Sequence, residues 1–257
     1  MIWKVGVVGD PVSHSLSPQL QEAAMQIAGL EGSASRVQMI GTQLEELKTA
    51  ISNEFNALSV TMPLKPFAAT ICDHLDAAAL RTGMVNSILR REGQIYGACT
   101  DGEGFVRSVE SRFNFDFTNA HVVVIGAGGA ATGIIDALQN SNASSITVLN
   151  RTSSKVDELV SKYEKVTHDL PTRIDVLINT VPVTGRGAPT IIAGAGEKTI
   201  CVDITYAPLV SDWLSFFEKE GCQTANGLGM LAHQAALQFK FWWDIDIDGD
   251  DLLEVLK

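Results

Sequence analysis

The sequence predicts an α/β protein of two lobes, the second built on a doubly wound parallel sheet. Three observations carry that prediction. Short apolar runs of strand character alternate with helically spaced segments through both halves of the chain. A glycine-rich turn, Gly126-Ala127-Gly128-Gly129-Ala130-Ala131, separates one such run from a helical stretch. And 257 residues suffice for two domains at roughly 100–200 residues each.

The first block is predicted to open on a strand over Val5 to Val8, followed by a polar loop and a helix from Pro18 to Leu30. Pro18 suits a first helical turn, where its missing N–H costs nothing. Thr42-Gln43-Leu44-Glu45 has capping-box spacing and leads a helix through Ile51. Leu58-Ser59-Val60-Thr61 reads as a short strand ended by Pro63, and Val85 to Leu89 and Gln94 to Ala98 read as strands flanking a turn near Gly93. The second block, from Gly102 to Gly227, carries strands at Val122 to Ile125, Ile146 to Leu149, Val176 to Asn179 and Ile200 to Ile204. Between the first two, Ile134, Ile135 and Leu138 give Thr132 to Gln139 a helical period. Leu228 to Trp243 is a last helix, apolar at Leu231, Ala235, Leu237, Phe239 and Trp242, and long enough to return to the first block.

Composition narrows the function. Apolar residues make up 46% of the chain and charged ones 19%, without low-complexity tracts or repeats, so a packed globular protein is expected. No apolar run approaches the ~20 residues that cross a bilayer, and Met1-Ile2-Trp3-Lys4 leads straight into a strand, which predicts a cytoplasmic protein with no membrane partner. Cys72, Cys99, Cys201 and Cys222 form no C-x-x-C pair, and the five histidines show no ligand spacing, so no metal is expected. Asp244-Ile245-Asp246-Ile247-Asp248-Gly249 imitates the start of a calcium loop but has Val255 where the closing Glu belongs, and is expected to be a solvated edge. A formal charge of −11 argues against nucleic acid, whose phosphates need Lys and Arg. Any anion bound here must be held by a few local donors. Oligomeric state is not legible, a homodimer being left open.

The glycine turn has the order strand, turn, helix, strand that a Rossmann-type dinucleotide site requires. Gly126 makes the tight turn, Gly128 lets the backbone approach a pyrophosphate, and small Ala131 lets helix and strand pack closely. The helix N-terminus offers unpaired N–H groups and the positive end of its dipole. Twenty-four residues after Gly126, where an acid would bond a ribose 2′-hydroxyl and repel a 2′-phosphate, the chain has Asn150-Arg151-Thr152. The expected cofactor is therefore NADP(H), with Gly126, Ala127, Gly128, Gly129 and Ala130 on the pyrophosphate, Arg151 on the 2′-phosphate, and Asn150, Thr152 and Lys155 assisting.

Candidate reactive groups lie on loops of the first block. Ser15 and Ser17, two positions apart, face one side of an extended loop and can donate jointly to a carboxylate; alternatively, Ser17 caps the helix that begins at Pro18. Lys65 stands just beyond a strand end, where α/β sites are built, although a lone lysine is ordinarily solvated surface. Asp101 likewise follows a strand, as catalyst or as helix cap.

Taken together these segments resemble the shikimate dehydrogenase family over essentially the whole chain. Gly9-Asp10-Pro11 with His14-Ser15-Leu16-Ser17-Pro18 is similar to the family's carboxylate loop, Val60-Thr61-Met62-Pro63-Leu64-Lys65 to its V-T-x-P-x-K segment, Gly83-Met84-Val85-Asn86 to G-A-V-N, and Thr100-Asp101-Gly102 to T-D-G. Gly126 to Ala130, Asn150-Arg151-Thr152, Asp203 to Pro208 and Gly227 to Leu231 with Gln234 complete the match. The resemblance implies an NADP-dependent oxidoreductase of aromatic amino-acid (chorismate) biosynthesis that reduces 3-dehydroshikimate to shikimate. It implies Lys65 and Asp101 as catalytic residues and Ser15, Ser17, Thr61, Asn86, Tyr206 and Gln234 on substrate, with Thr180, Ile204, Gly227 and Met230 joining the cofactor set. It places a substrate-binding domain at residues 1–101, completed by 230–257, and the NADP-binding domain at 102–229. Ser59, Ser87 and Cys99 depart from the family's usual Asn, Thr and Asn, which touches substrate preference rather than reaction class. A quinate-directed sibling and a non-catalytic NADP-binding sensor are the alternatives.

Overall fold

The computed structural model describes residues 2–40, 44–181, 192 and 194–257. It divides into two compact units, Met1–Phe105 with Leu231–Lys257, and Val106–Met230.

The first unit runs β1 (Trp3–Gly9), α1 (Ser17–Ile27), β2 (Gly32–Gln38), α2 (Leu44–Thr49), a π-helical turn (Ala50–Glu54), β3 (Ala57–Val60), α3 (Lys65–Ile71), β4 (His74–Leu75), α4 (Ala77–Thr82), β5 (Ser87–Arg91), β6 (Gln94–Ala98) and the start of α5 (Asp101–Phe113). Its six strands lie in the order β2-β1-β3-β5-β6-β4. β1 pairs in parallel with β2 and β3, whereas β5 runs antiparallel to both β3 and β6. Side chains alternate across the sheet: Val8, Leu58 and Val60 enter one core with Leu47, Ile51, Leu64 and Ile88, while Val5 and Ala57 enter the other with Leu20, Ala24, Phe239 and Trp242. Apolar residues on both faces are what a sheet covered by helices on both sides demands.

The second unit contains β7 (His121–Ile125), α6 (Gly129–Asn140), β8 (Ser145–Leu149), α7 (Ser153–Lys162), β9 (Val166–Thr167), β10 (Val176–Asn179), β11 (Ile200–Asp203), α8 (Asp212–Lys219) and β12 (Gln223–Ala225). All its strand pairs are parallel, in the order β12-β11-β10-β7-β8-β9. Counted within the unit this is the doubly wound order of a Rossmann sheet, with its switch point between β7 and β10. α9 (Leu228–Trp243) then carries the chain back, and Leu231 onward, with α10 (Gly249–Glu254), belongs to the first unit.

Most differences from expectation are local. α1 stops at Ile27 because Gly29, at φ +65°, turns the chain before Leu30. The second helix yields to the π-helical turn one residue before Ile51, and Thr42 and Gln43 of its capping box lie outside the described residues. Leu16, not Ser17, is the N-cap of α1, with no side-chain bond to the helix, so the capping reading of Ser17 falls. Asp248 caps α10 through the Asp250 N–H, and Lys240 bridges Asp244 and Asp246, which accounts for the acidic run. Among the described residues no helix is long and apolar enough to cross a membrane.

Candidate active site

The first unit builds its site on one sheet edge. Val8 is in register with Val60, Ser59 with Ser87, and Ser87 with Ala98. Because β5 runs against its neighbours, its amino end meets the carboxyl ends of β1, β3 and β6. Asn86 therefore stands between Val60 and Cys99, one step from Thr61 and Gly9. Backbone bonds fix the row: Thr61 N–H donates to Val8 O (2.9 Å), Val60 N–H to Asn86 O (2.8 Å) and Asn86 N–H to Ala98 O (3.0 Å).

Lys65 opens α3 and Asp101 opens α5, 36 residues apart. Lys65 Nζ donates to Asp101 Oδ2 at 2.6 Å, and the two side chains are only 13% and 7% exposed. The other carboxylate oxygen, Oδ1, accepts from Asn86 Nδ2 at 3.0 Å. Asn86 is held in turn by Thr100, whose N–H donates to Asn86 Oδ1 at 2.8 Å, and its Nδ2 reaches Gln234 Oε1 on α9 at 3.1 Å. Four sequence-predicted residues, Lys65, Asp101, Asn86 and Gln234, thus form one connected cluster. Asp101 spends its carboxylate on the ammonium and an amide, not on capping its helix.

Ser15 and Ser17 form a second group: Ser15 Oγ donates to Ser17 Oγ at 3.2 Å and accepts from Ser17 N–H at 3.3 Å. Arg36 on β2, absent from the sequence expectations, grips the Ser15 carbonyl through Nε and Nη2 at 2.9 and 2.6 Å. A guanidinium in a small, polar edge strand carried no motif that marked it. Thr61 is half-buried on the same edge. Burial, reinforced by Asp101, pushes the Cys99 thiol up to about 12 with Lys65 pulling the other way, so it is a neutral thiol at physiological pH.

In the second unit the carboxyl ends of four strands align: Ile125 is in register with both Leu149 and Asn179, and Asn179 with Asp203. Gly126, Asn150, Thr180 and Ile204 consequently stand side by side, one residue beyond their strands. Gly126 has φ +110°, and a β-carbon there would collide with Thr180 Oγ1. Gly128, the N-cap of α6, is extended, and a β-carbon on it would meet nothing within 4 Å among the described residues. The backbone is thus bare where a pyrophosphate has to approach, and the N–H groups of Gly129 and Ala130 begin a helix whose first turn holds no acid. α7 likewise has no acid in its first turn and is preceded by exposed Arg151 and by Thr152, whose carbonyl accepts from Asn150 Nδ2 at 3.0 Å. Lys155 is exposed in that first turn. Gly227 packs so close to Ile204 that a β-carbon would strike its carbonyl oxygen, while Met230 is buried and Tyr206 half-buried. Bare glycine backbone, an acid-free helix start and a nearby guanidinium fit an NADP phosphate framework.

A doubly wound sheet with this phosphate cradle, and a separate unit presenting an ammonium held by a carboxylate, define an α/β oxidoreductase that uses a pyridine nucleotide. Residues 7–88 match the family model for the shikimate dehydrogenase substrate binding domain, residues 107–205 that for shikimate / quinate 5-dehydrogenase, and residues 227–256 that for the shikimate 5′-dehydrogenase C-terminal domain. Shikimate dehydrogenase (NADP(+)) of an Exiguobacterium species is 34% identical over 262 residues, spanning 98% of this chain and 98% of the relative. The Geobacillus enzyme of that name is 35% identical over 255 residues, spanning 92% and 91%. Shikimate 5-dehydrogenase from Thermus thermophilus, solved with NADP(H) and shikimate, is 28% identical with a TM-score of 0.88, covering 98% of each chain. The chain belongs to the shikimate dehydrogenase family.

Proposed function

We propose that this protein catalyses the reversible, NADPH-dependent reduction of 3-dehydroshikimate to shikimate. The observation that carries the reading is the nearly dry Lys65–Asp101 contact at 2.6 Å, linked through Asn86 to Gln234. NADP, bound across Gly126 to Ala130 with Arg151, Asn150, Thr152 and Lys155 at its 2′-phosphate and Thr180, Ile204, Gly227 and Met230 completing the site, supplies or accepts the hydride.

The chain's own residues handle charge and proton. Negative charge grows on the carbonyl oxygen during reduction, and a cation within hydrogen-bond reach stabilises that transition state more than the ground state. Lys65 Nζ is that cation and the proton donor. Asp101 holds the ammonium in place, and Asn86 holds Asp101. The paired hydroxyls of Ser15 and Ser17 receive the substrate carboxylate, with Thr61, Tyr206 and Gln234 on its hydroxyls. Neutral donors suit a chain of charge −11, which offers an anion no long-range attraction. Four unpaired cysteine thiols accord with a cytoplasmic, biosynthetic enzyme.

The test is nicotinamide absorbance with shikimate and NADP⁺, run beside quinate. Turnover with shikimate in preference to quinate is expected; its absence would refute the reading, and turnover of any kind would dispose of a non-catalytic sensor.

A further inference from the structure

Behind the site a buried chain of side-chain amides runs into the core of the first unit. Gln21 of α1 donates through Nε2 to Gly6 O at 3.1 Å and to Ser59 Oγ at 3.0 Å. Ser59 Oγ donates to Gln238 Oε1 at 2.6 Å. Gln238 Nε2 donates to Asn86 O at 3.1 Å and to Gln234 Oε1 at 2.8 Å. Gln238 lies one helical turn beyond Gln234 on the same face of α9 and is 2% exposed.

The direction of every bond in this chain is forced. Backbone carbonyls only accept, so Gly6 O fixes the amino end of the Gln21 amide and Asn86 O that of Gln238. The carbonyl of Gln238 must then face Ser59, which donates to it while accepting from Gln21. Gln238's second proton falls on Gln234 Oε1, the nearer of two donors to that oxygen beside Asn86 Nδ2 at 3.1 Å, and together they keep the Gln234 amide from flipping. Its Nε2 is turned towards Leu231 O, 2.8 Å away, with a second proton to offer. At the other end Thr100 N–H, which only donates, fixes Asn86 with Nδ2 towards Asp101.

We propose that Gln238, oriented by Ser59 and Gln21, is a positioning residue that sets which end of the Gln234 amide the substrate meets and holds the Asn86 backbone beneath it. This rests on the shikimate reading of the site. It gives Ser59, a departure from the family's usual asparagine, a specific role. Its short hydroxyl both accepts and donates, beside a carbonyl 2.6 Å away where a longer side chain has no room.

Steady-state kinetics of three variants test the proposal. Gln238→Leu keeps volume and removes both amide ends; the KM for shikimate should rise about 10-fold or more, with kcat less affected and the KM for NADP⁺ within about 2-fold. Gln238→Glu separates orientation from packing. Ionised, the new carboxyl sets oxygen against two acceptors, Gln234 Oε1 and Asn86 O; protonated, it donates to one of them. Burial raises its pKa, so its shikimate KM relative to wild type should fall several-fold from about pH 8 to about pH 6, while Gln238→Leu shows no such recovery. Taking ratios to wild type removes pH effects common to both proteins.

Ser59→Ala removes the donor to Gln238, and with it one of the two acceptors of Gln21 Nε2, which keeps Gly6 O; it should raise the shikimate KM roughly 3-fold, which keeps the test alive if the Gln238 variants do not fold. Active wild type with an unmoved shikimate KM in folded Gln238→Leu or Ser59→Ala overturns the proposal alone. Wild type inactive on shikimate overturns the functional reading and this proposal with it.

Discussion

Replacing Lys65 with methionine removes the ammonium and keeps the apolar stem. At 2.6 Å and an effective dielectric of ~20, the ion pair is worth about 6 kcal/mol of gross Coulomb attraction. Desolvating the two ions costs several kcal/mol each, so the intact pair is close to break-even for stability. Removing one partner is another matter, because the survivor stays buried without compensation at about 3–5 kcal/mol. Asp101 keeps the Asn86 amide at 3.0 Å, which puts Lys65→Met near the low end, about 3 kcal/mol. Asp101→Asn should cost a similar amount: if its oxygen faces Lys65, its amide nitrogen faces Asn86 Nδ2 and two donors meet. The double variant strands no charge and should fall within about 1 kcal/mol of wild type, a coupling of about 5 kcal/mol against single costs of about 3 each.

Activity should behave in the opposite way. Lys65→Met is expected to lower kcat by roughly 10²–10⁴-fold, and the double variant should stay as slow despite its recovered stability. Urea unfolding followed by tryptophan fluorescence reads the first quantity well, since Trp3, Trp242 and Trp243 lie in the first unit and only Trp213 in the second. NADP⁺ reduction with shikimate reads the other. A double variant destabilised by the full sum of the single effects would show that the contact is not energetically coupled, and Lys65→Met with wild-type turnover would remove Lys65 from the chemistry.

Arg151→Ala should cut the preference for NADP⁺ over NAD⁺ by roughly 10- to 150-fold, the equivalent of a charge-assisted bond of about 1.5–3 kcal/mol, as judged by the two kcat/KM values. In Gly104→Ala the new β-carbon lies 2.5–2.6 Å from Gln234 Cβ, Cα and N, atoms that cannot swing aside. α9 must back away from α5 at about 1–3 kcal/mol, and a thermal melt should show that loss together with a raised shikimate KM. Burial pushes the Cys99 thiol up to about 12, so above the ordinary thiol pKa the folded protein holds a proton that the unfolded chain has lost. Stability therefore falls as pH rises from about 9 towards 12, by up to ~1.4 kcal/mol per pH unit for this thiol, and urea midpoints on either side of that rise should show Cys99→Ala losing less than wild type.

How much of this was legible depended on whether the signal is local. The central strands of the second unit are apolar runs bounded by turns, and the glycine turn sits in strand–turn–helix order, so that unit could be read directly. β2 could not: Gly32 to Gln38 is small and polar because it is a largely exposed edge strand, which needs no apolar face. β9 and β12 are two and three residues long, too short for a period to register. The segments bearing Ser15, Lys65, Asn86 and Asp101 were legible through their joint pattern. Their supports were not, since Ser59 and Gln238 are 179 residues apart and a glutamine late in an amphipathic helix looks like solvated surface.

Charge explains why these supports matter. A chain of formal charge −11 that binds a carboxylate and a phosphorylated nucleotide cannot rely on its overall field, which repels both. Beyond the local cations Arg151 and Lys155 it has to place neutral donors accurately, and a neutral donor is only as useful as its orientation. Both units meet that demand by the same means. In the second, aligned strand ends set Gly126 and Asn150 at helix starts free of acidic residues. In the first, the reversal of β5 brings Asn86 to an edge otherwise made of carboxyl ends, and backbone groups that can bond in only one sense propagate that sense through Gln238 to Gln234. Where electrostatic attraction is weak, hydrogen-bond direction takes over as the source of specificity.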